Sequence, residues 1–264
     1  MRVRSLALET VLALARLGGA RVTDRGDFIA IATPGEPDYY YGNLLVLPAA
    51  PQVGEVAYWT RRFADEFAGD AGIAHVTLWW DGTSGDVGAR DELVAAGFAI
   101  EEGVVMAAQA SAIARAVDAG AAALPIRELA ASEVDAIAEL GFAIAEHHDD
   151  PHRRFLERRA ASHARLVAAG AARFYGAFDG DALVASLGLA ELGAQLARYQ
   201  DVQTALAYRK RGLASALLAR AAASVAADTR LVLLATADGD AARLYERVGF
   251  RAAERTVSAC RYPR

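Results

Sequence analysis

The chain has 264 residues, 54% of them hydrophobic and 23% charged, with a formal net charge of −5. That is enough chain and apolar surface for one large or two small domains, while the acidic balance excludes a surface built for nucleic acid and mildly attracts cationic amines. Cys260 is the sole cysteine, which excludes an internal disulfide and a cysteine-based metal cluster, and no apolar run approaches the roughly 20 residues of a membrane span.

Met1-Arg2-Val3-Arg4 followed by Ser5 to Arg16 has the outline of a leader. Glu9 interrupts its apolar stretch, and a 3.6-residue period fits an amphipathic helix better, so a cytoplasmic protein is expected. Tyr39-Tyr40-Tyr41 reads as the edge of an aromatic core, with a pocket wall as the alternative. Tyr41 to Leu47 has strand character. Gly54 to Phe67 is expected to be helical, with Trp59, Phe63 and Phe67 on one face. Ile73 to Trp80 is a strand, and Asp91 to Ala96 leads into Gly97-Phe98. The Ala-rich run from Ala107 to Ala123 is the expected connection between domains. His75 and His163 are read as structural or surface residues.

The second half is more regular. Ala122 to Ala130 is an expected strand, and Ser132 heads a helix to about Glu146 with acids in its first turn. His147-His148-Asp149-Asp150-Pro151 breaks that helix, and a second runs from about His152 to Ala169, before Gly170. Ala172 to Phe178 and Ala182 to Glu191 form a hairpin around Asp179-Gly180-Asp181. Gln195 to Thr204 is the next strand. Tyr208-Arg209-Lys210-Arg211-Gly212-Leu213-Ala214-Ser215 then opens an amphipathic helix. Backbone N–H groups at a helix start lack partners inside the helix and sit at the positive end of its dipole. Three consecutive cations, with Gly212 and Ala214 letting a ligand approach the backbone, make this a phosphate-binding turn. No Walker motif or Gly-x-Gly-x-x-Gly fingerprint occurs, which argues against nucleoside triphosphates and dinucleotides.

After the strand Arg230 to Thr236 comes Asp238-Gly-Asp-Ala241-Ala-Arg-Leu244-Tyr245-Glu246-Arg-Val248-Gly249-Phe250. The Arg-x-x-Gly-x-Ala turn and this segment together resemble the GNAT acetyltransferase superfamily. They match its pyrophosphate loop and its Asn-x-x-Ala-x-x-Leu-Tyr-Glu-x-x-Gly-Phe stretch, with Asp238 where Asn is usual. The element order of the second half is also that of the family. The resemblance implies an α/β (α+β) fold of two tandem GNAT-like domains, each a mixed, largely antiparallel sheet flanked by helices. The first, 1–121, is a worn copy: Pro48 to Gly54 stands where the basic turn belongs and carries no cation, so coenzyme is not expected there. The second, 122–264, is expected to bind acetyl-CoA.

By that resemblance Arg209, Lys210, Arg211, Gly212, Leu213, Ala214 and Ser215 cradle the pyrophosphate. Val202, Gln203 and Thr204 offer backbone groups to the pantetheine arm if their strand splays from its neighbour. Tyr245 stands where the family often has its general acid, with packing on a helix flank as the alternative. Because a phenol is a weaker acid than a thiol by about 1.5 pKa units, Tyr245 is expected to hydrogen-bond the leaving thiolate more than to protonate it. Asp201 and Glu191, on the two strands nearest the expected reaction centre, are the candidate bases, directly or through water; solvated strand carboxylates are the alternative. His147 and His148, with His152, Asp149 and Asp150, admit three readings: an acceptor-pocket lining, a metal site, or a polar turn. Pro151 spoils helical ligand spacing, so no metal is expected. The expected activity is direct transfer of acetyl from acetyl-CoA to an amine of a small-molecule acceptor, by a monomer or homodimer without nucleic-acid or membrane partners. No cysteine near the motifs can carry the acyl group. The rival from another class is a non-catalytic acyl-CoA-binding or regulatory protein.

Overall fold

The computed structural model describes every residue except 71, 117–123, 147 and 264. The chain forms two compact units, one of residues 1–105, 234–242 and 252–264, the other of residues 106–233 and 243–251. The expected boundary between 121 and 122 lies outside the described residues. The architecture is mixed α/β, with largely antiparallel sheet flanked by helices.

In the first unit, helix α1 (Leu6–Leu17) precedes strands β1 (Arg21–Asp24), β2 (Ile29–Ala32) and β3 (Leu44–Leu47). Helix α2 (Val56–Glu66), strand β4 (Val76–Trp80), helix α3 (Arg90–Ala95) and strand β5 (Ala99–Gln109) follow, the last four residues of β5 belonging to the second unit. The final strand of the chain, β11 (Arg251–Arg261), also lies here, and the strand order is β1-β2-β3-β4-β11-β5. β11 runs antiparallel to β4, with Ser258 opposite Trp79 and Arg261 opposite Val76. It therefore sits between β4 and β5, two strands that are consecutive in sequence. β2, β3 and β4 are buried along their whole length, which explains their continuous apolar character. The expected aromatic stripe of α2 is present: Trp59, Phe63 and Phe67 are all buried, against Phe28, Leu45, Leu78 and Trp80. The strand expected from Tyr41 begins only at Leu44, because Tyr40–Gly42 is a 3-10 turn.

The start of α1 accounts for its backbone donors completely. Leu8 N donates to the Ser5 hydroxyl at 3.4 Å, while Leu6 N and Ala7 N donate to the two carboxylate oxygens of Glu254 at 2.9 and 3.2 Å. Arg4 N and Ser5 N each donate to the buried Asp81 carboxylate at 2.9 Å. Glu254 of β11 thus satisfies donors that an isolated helix leaves to water, and Asp81, just past β4, fixes the two residues that lead into the helix.

In the second unit, helix α4 (Ala110–Ala116) and strand β6 (Ile126–Glu128) precede the helix pair α5 (Asp135–Ile144) and α6 (Asp150–Ala168). Strands β7 (Ala172–Asp179), β8 (Ala182–Gly193) and β9 (Leu196–Thr204) follow, then helix α7 (Leu213–Ala222) and strand β10 (Arg230–Thr236), whose first four residues lie here. Helix α8 (Asp240–Val248) joins this unit from Arg243 on. The strand order is β10-β9-β8-β7-β6. α5 and α6 pack on the sheet, as does α7, against which α4 packs in turn. Gly188 of β8 permits this packing: a Cβ there would lie 2.6 Å from the ring of Phe174, its partner on β7. Pro151 lies within the first turn of α6, where a missing N–H costs nothing, and Asp149 caps that helix by accepting from His152 N at 2.8 Å.

Candidate functional site

The basic turn leads directly into the start of α7. Gly212 is the N-cap of α7 in the left-handed region, with φ 77°, a conformation that favours glycine. Open space surrounds the place a Cβ would occupy. The first helical bond of α7 runs from Ala216 N to Gly212 O at 3.0 Å, so helix geometry leaves the N–H groups of Leu213, Ala214 and Ser215 without carbonyl partners in the helix. Arg209, Lys210 and Arg211 are exposed around it. The turn is tied down from outside: Arg209 Nε donates to Thr204 O at 3.3 Å, Tyr208 donates to Asp179 at 2.6 Å, and the Arg211 guanidinium lies 4.9 Å from the Tyr208 ring centre.

Beside the turn, two parallel strands part. β9 and β10 pair only through Leu196↔Arg230, Ala197↔Leu231 and Arg198↔Val232. From Tyr199 to Thr204, β9 has no ladder partner on that side among the described residues, so Val202 and Gln203 lie along an unpaired edge, while Thr204 O accepts from Arg209. β9 also bulges there. Ser186 and Gly188 of β8 pair with Gln203 and Gln200, leaving Asp201 and Val202 opposite Leu187, with Asp201 at φ 48°. An open-edged strand leading into a helix start rich in N–H groups and cations fits the amides and pyrophosphate of an acyl-coenzyme A.

The candidate catalytic residues separate. Tyr245 is 6% exposed, and burial pushes its hydroxyl up to a pKa of about 12. It stays a proton donor at any physiological pH. Its ring packs 6.1 Å from Phe250, which in turn lies 6.0 Å from Tyr199 of β9. Asp201 is not a free carboxylate: its Oδ2 lies 3.1 Å from His163 Nε2 of α6. Its side chain is 36% exposed; partial desolvation works to raise its pKa, but the hydrogen bond from His163 and the charges of His163, Arg159 and Arg198 outweigh it and hold the carboxyl below its ordinary value. A carboxylate so held is a weak base on its own. His163 Nδ1 is buried without a partner, and its ring packs 4.7 Å from Phe174.

Glu191 is elsewhere. It pairs with Arg173 at 3.3 Å, and Arg173 Nη1 donates to Ser224 O just beyond the C-terminal end of α7. The ten residues of α7 put about 15 Å between that end and the phosphate turn. The structure does not bring Glu191 to the parted strands. Of the histidine cluster, His147 lies outside the described residues. His148 is exposed, its ring 5.1 Å from Phe142, over which Arg153 stacks at 3.9 Å. Among the described residues no group of three His, Cys, Asp or Glu side chains is placed to hold a metal ion, and no helix is long and apolar enough to cross a membrane. Sequence reading missed His163 because only the packing of α6 on β9 gives it a charged partner.

The corresponding place in the first unit is closed. β3 and β4 pair in parallel to their ends, through Leu47↔Trp80, and Asp81 N continues the pattern by donating to Leu47 O at 2.9 Å. Ahead of α2, Gln52 N donates to Glu55 and Gly54 N to Glu92, at 2.9 and 2.6 Å. Carboxylates of the chain itself thus take up backbone donors ahead of α2.

The protein-family model described as acetyltransferase (GNAT) domain matches residues 142–259, a stretch that lies mostly in the second unit. Solved structures share the fold along nearly the whole chain. A functionally unknown conserved protein from Staphylococcus epidermidis is 11% identical with a TM-score of 0.77, covering 92% of this chain and 93% of its own. A GCN5-related N-acetyltransferase from Kribbella flavida is 16% identical with a TM-score of 0.61, covering 97% and 96%. A tandem GNAT protein from the clavulanic acid biosynthesis pathway is 13% identical with a TM-score of 0.51, covering 88% and 77%. No curated protein sequence matches the chain.

Proposed function

We propose that the protein is an acetyl-CoA-dependent N-acetyltransferase of tandem GNAT form, with one working site in its second unit and a small-molecule amine as acceptor. The observation that carries the reading is the conjunction of the parted β9 edge with the open, cationic start of α7. In this reading Arg209 to Ser215 hold the pyrophosphate, and the backbone of Val202 to Thr204 holds the pantetheine amides. Bound acetyl-CoA supplies an activated acyl carbonyl and a thiolate leaving group.

Transfer forms a C–N bond and breaks a C–S bond, so one proton must leave the amine and one must reach the sulfur. Asp201 holds His163 by its Nε2 edge, and the pair takes the amine proton directly or through water. Tyr245 donates a hydrogen bond toward the sulfur. Its pKa of about 12 against about 8.5 for a thiol makes full transfer uphill by roughly 5 kcal/mol, so stabilisation by hydrogen bonding is the larger part of its role. The test is release of free thiol from acetyl-CoA across a panel of primary amines. Amine-dependent release supports the reading. Tight acetyl-CoA binding without release by any amine selects a non-catalytic acyl-CoA-binding protein instead.

A further inference from the structure

The sheet face covered by α5 and α6 carries side chains that the roles above leave unused. Ser186 pairs with Gln203, and Gly188 with Gln200. Directly opposed residues share a face, as do residues two apart along a strand. Ser186, Gln200 and Gln203 therefore project to one side. Gln203 identifies that side as the one under α5, because its amide lies 3.5–3.6 Å from where a Cβ on Gly141 would stand. His163 approaches the same face, against Phe174, which pairs with Gly188. Four buried atoms here have no hydrogen-bond partner: Ser186 Oγ, Gln200 Nε2, Gln203 Oε1 and His163 Nδ1. Ser186 is 0% exposed. Buried polar atoms are almost always satisfied, because leaving one without a partner costs its full desolvation. The four lie on the face of the sheet beside the bulge that carries Asp201.

We infer that Ser186, Gln200 and Gln203 hold a neutral amide group on the acceptor, so that the amine acceptor is an amino-acid amide or the amino end of a peptide. The inference rests on the acetyltransferase reading. The unmet set contains a donor on Gln200, an acceptor on Gln203 and a hydroxyl that serves as either. An amide carries both complements in one planar group. A carboxylate has no hydrogen for Gln203, an ammonium has no lone pair for Gln200, and an alkyl chain leaves all three unmet. A site built to hydrogen-bond a group rejects analogues that lack it far more strongly than an apolar pocket rejects a missing methylene. The Asp201–His163 pair on the same face then stands beside the amine that neighbours such an amide.

The experiment uses the full chain and follows thiol release from acetyl-CoA with glycinamide, glycylglycinamide, glycine and ethylamine. The two amides are expected to exceed glycine and ethylamine in kcat/KM by about 10-fold or more. Glycylglycinamide leading assigns a peptide source, and glycinamide leading assigns an amino-acid amide. Ser186→Ala and Gln200→Met should each shrink that preference toward one while acetyl-CoA still binds by calorimetry. Ser186→Ala should also raise the Tm of the free protein, since it deletes an unpartnered buried hydroxyl; a purely structural serine would lower it. Equal rates for all four amines, or a preference undiminished in both variants, would overturn the inference. If none of the four is acetylated although acetyl-CoA binds, calorimetry of glycinamide on the coenzyme A-saturated protein decides separately. Binding that both variants abolish upholds the amide site and removes the transferase reading, whereas absence of binding removes the amide site.

Discussion

At the scale of single residues, Gly212 and Tyr245 carry separable tests. Gly212→Ala keeps the turn uncharged but forces a side chain to φ 77°, at a stability cost of about 1 kcal/mol. Gly212→Glu shares that strain and adds a carboxylate among the free N–H groups of α7. Acetyl-CoA binding should survive in the alanine variant and vanish in the glutamate variant, both remaining folded by circular dichroism. Equal affinities in the two would remove the cradle from this turn. Tyr245→Phe keeps the buried ring and deletes the hydroxyl. Turnover should fall by roughly 10- to 1,000-fold with the coenzyme Kd nearly unchanged, the pattern of a lost transition-state donor; wild-type turnover would assign the residue to packing. The same burial makes a pH prediction. The tyrosine pKa is raised on folding, so its contribution is fully present below the unfolded value of about 10 and is lost as pH climbs toward about 12. Denaturant titrations between those values should show stability falling less steeply in Tyr245→Phe than in the parent.

At the scale of elements, what was legible in sequence was what depends on neighbours along the chain. The basic turn, the Gly-Phe segments, the α2 stripe and the hairpin at Asp179-Gly180-Asp181 each carry their physics within about ten residues. The face of the sheet on which Glu191 falls, and the partner that captures Asp201, depend on how β8, β9 and α6 pack. Glu191 and Asp201 looked equivalent as strand acids; one is bound to Arg173 near the far end of α7, the other to His163 at a bulge. Nor did Ser5 to Arg16 announce that its helix start depends on Asp81 and Glu254. Asp81 accepts from Arg4 N and Ser5 N, and although burial of the carboxyl opposes ionisation, these bonds hold its pKa below the ordinary value. Its contribution is thus present above the ordinary carboxylate range and lost as pH falls through and below it. Asp81→Ala should cost about 1–3 kcal/mol at neutral pH, with the difference from the parent narrowing in acid. A neutral-pH unfolding curve indistinguishable from the parent's would show that water replaces the carboxylate.

At the scale of the whole molecule, β9 and β10 of the second unit part ahead of α7, whereas β3 and β4 of the first pair to their ends ahead of α2. Calorimetric titration should therefore give one acetyl-CoA per chain. A stoichiometry of two would mean that Glu55 and Glu92 leave the start of α2 when coenzyme arrives. The position of β11 has a further consequence, in time instead of space. β4 is complete by Trp80, yet the strand it pairs with, Arg251–Arg261, is made about 170 residues later. At ~5–20 residues per second the ribosome holds the chain for roughly 10–35 s with the β4 edge bare. A bare apolar edge is a template for pairing with other chains. Chains released before Arg251 should accumulate as aggregates, and a β11 peptide supplied in trans should lower that yield. Synthesis of this protein therefore has a vulnerable interval that ends only when its last strand emerges.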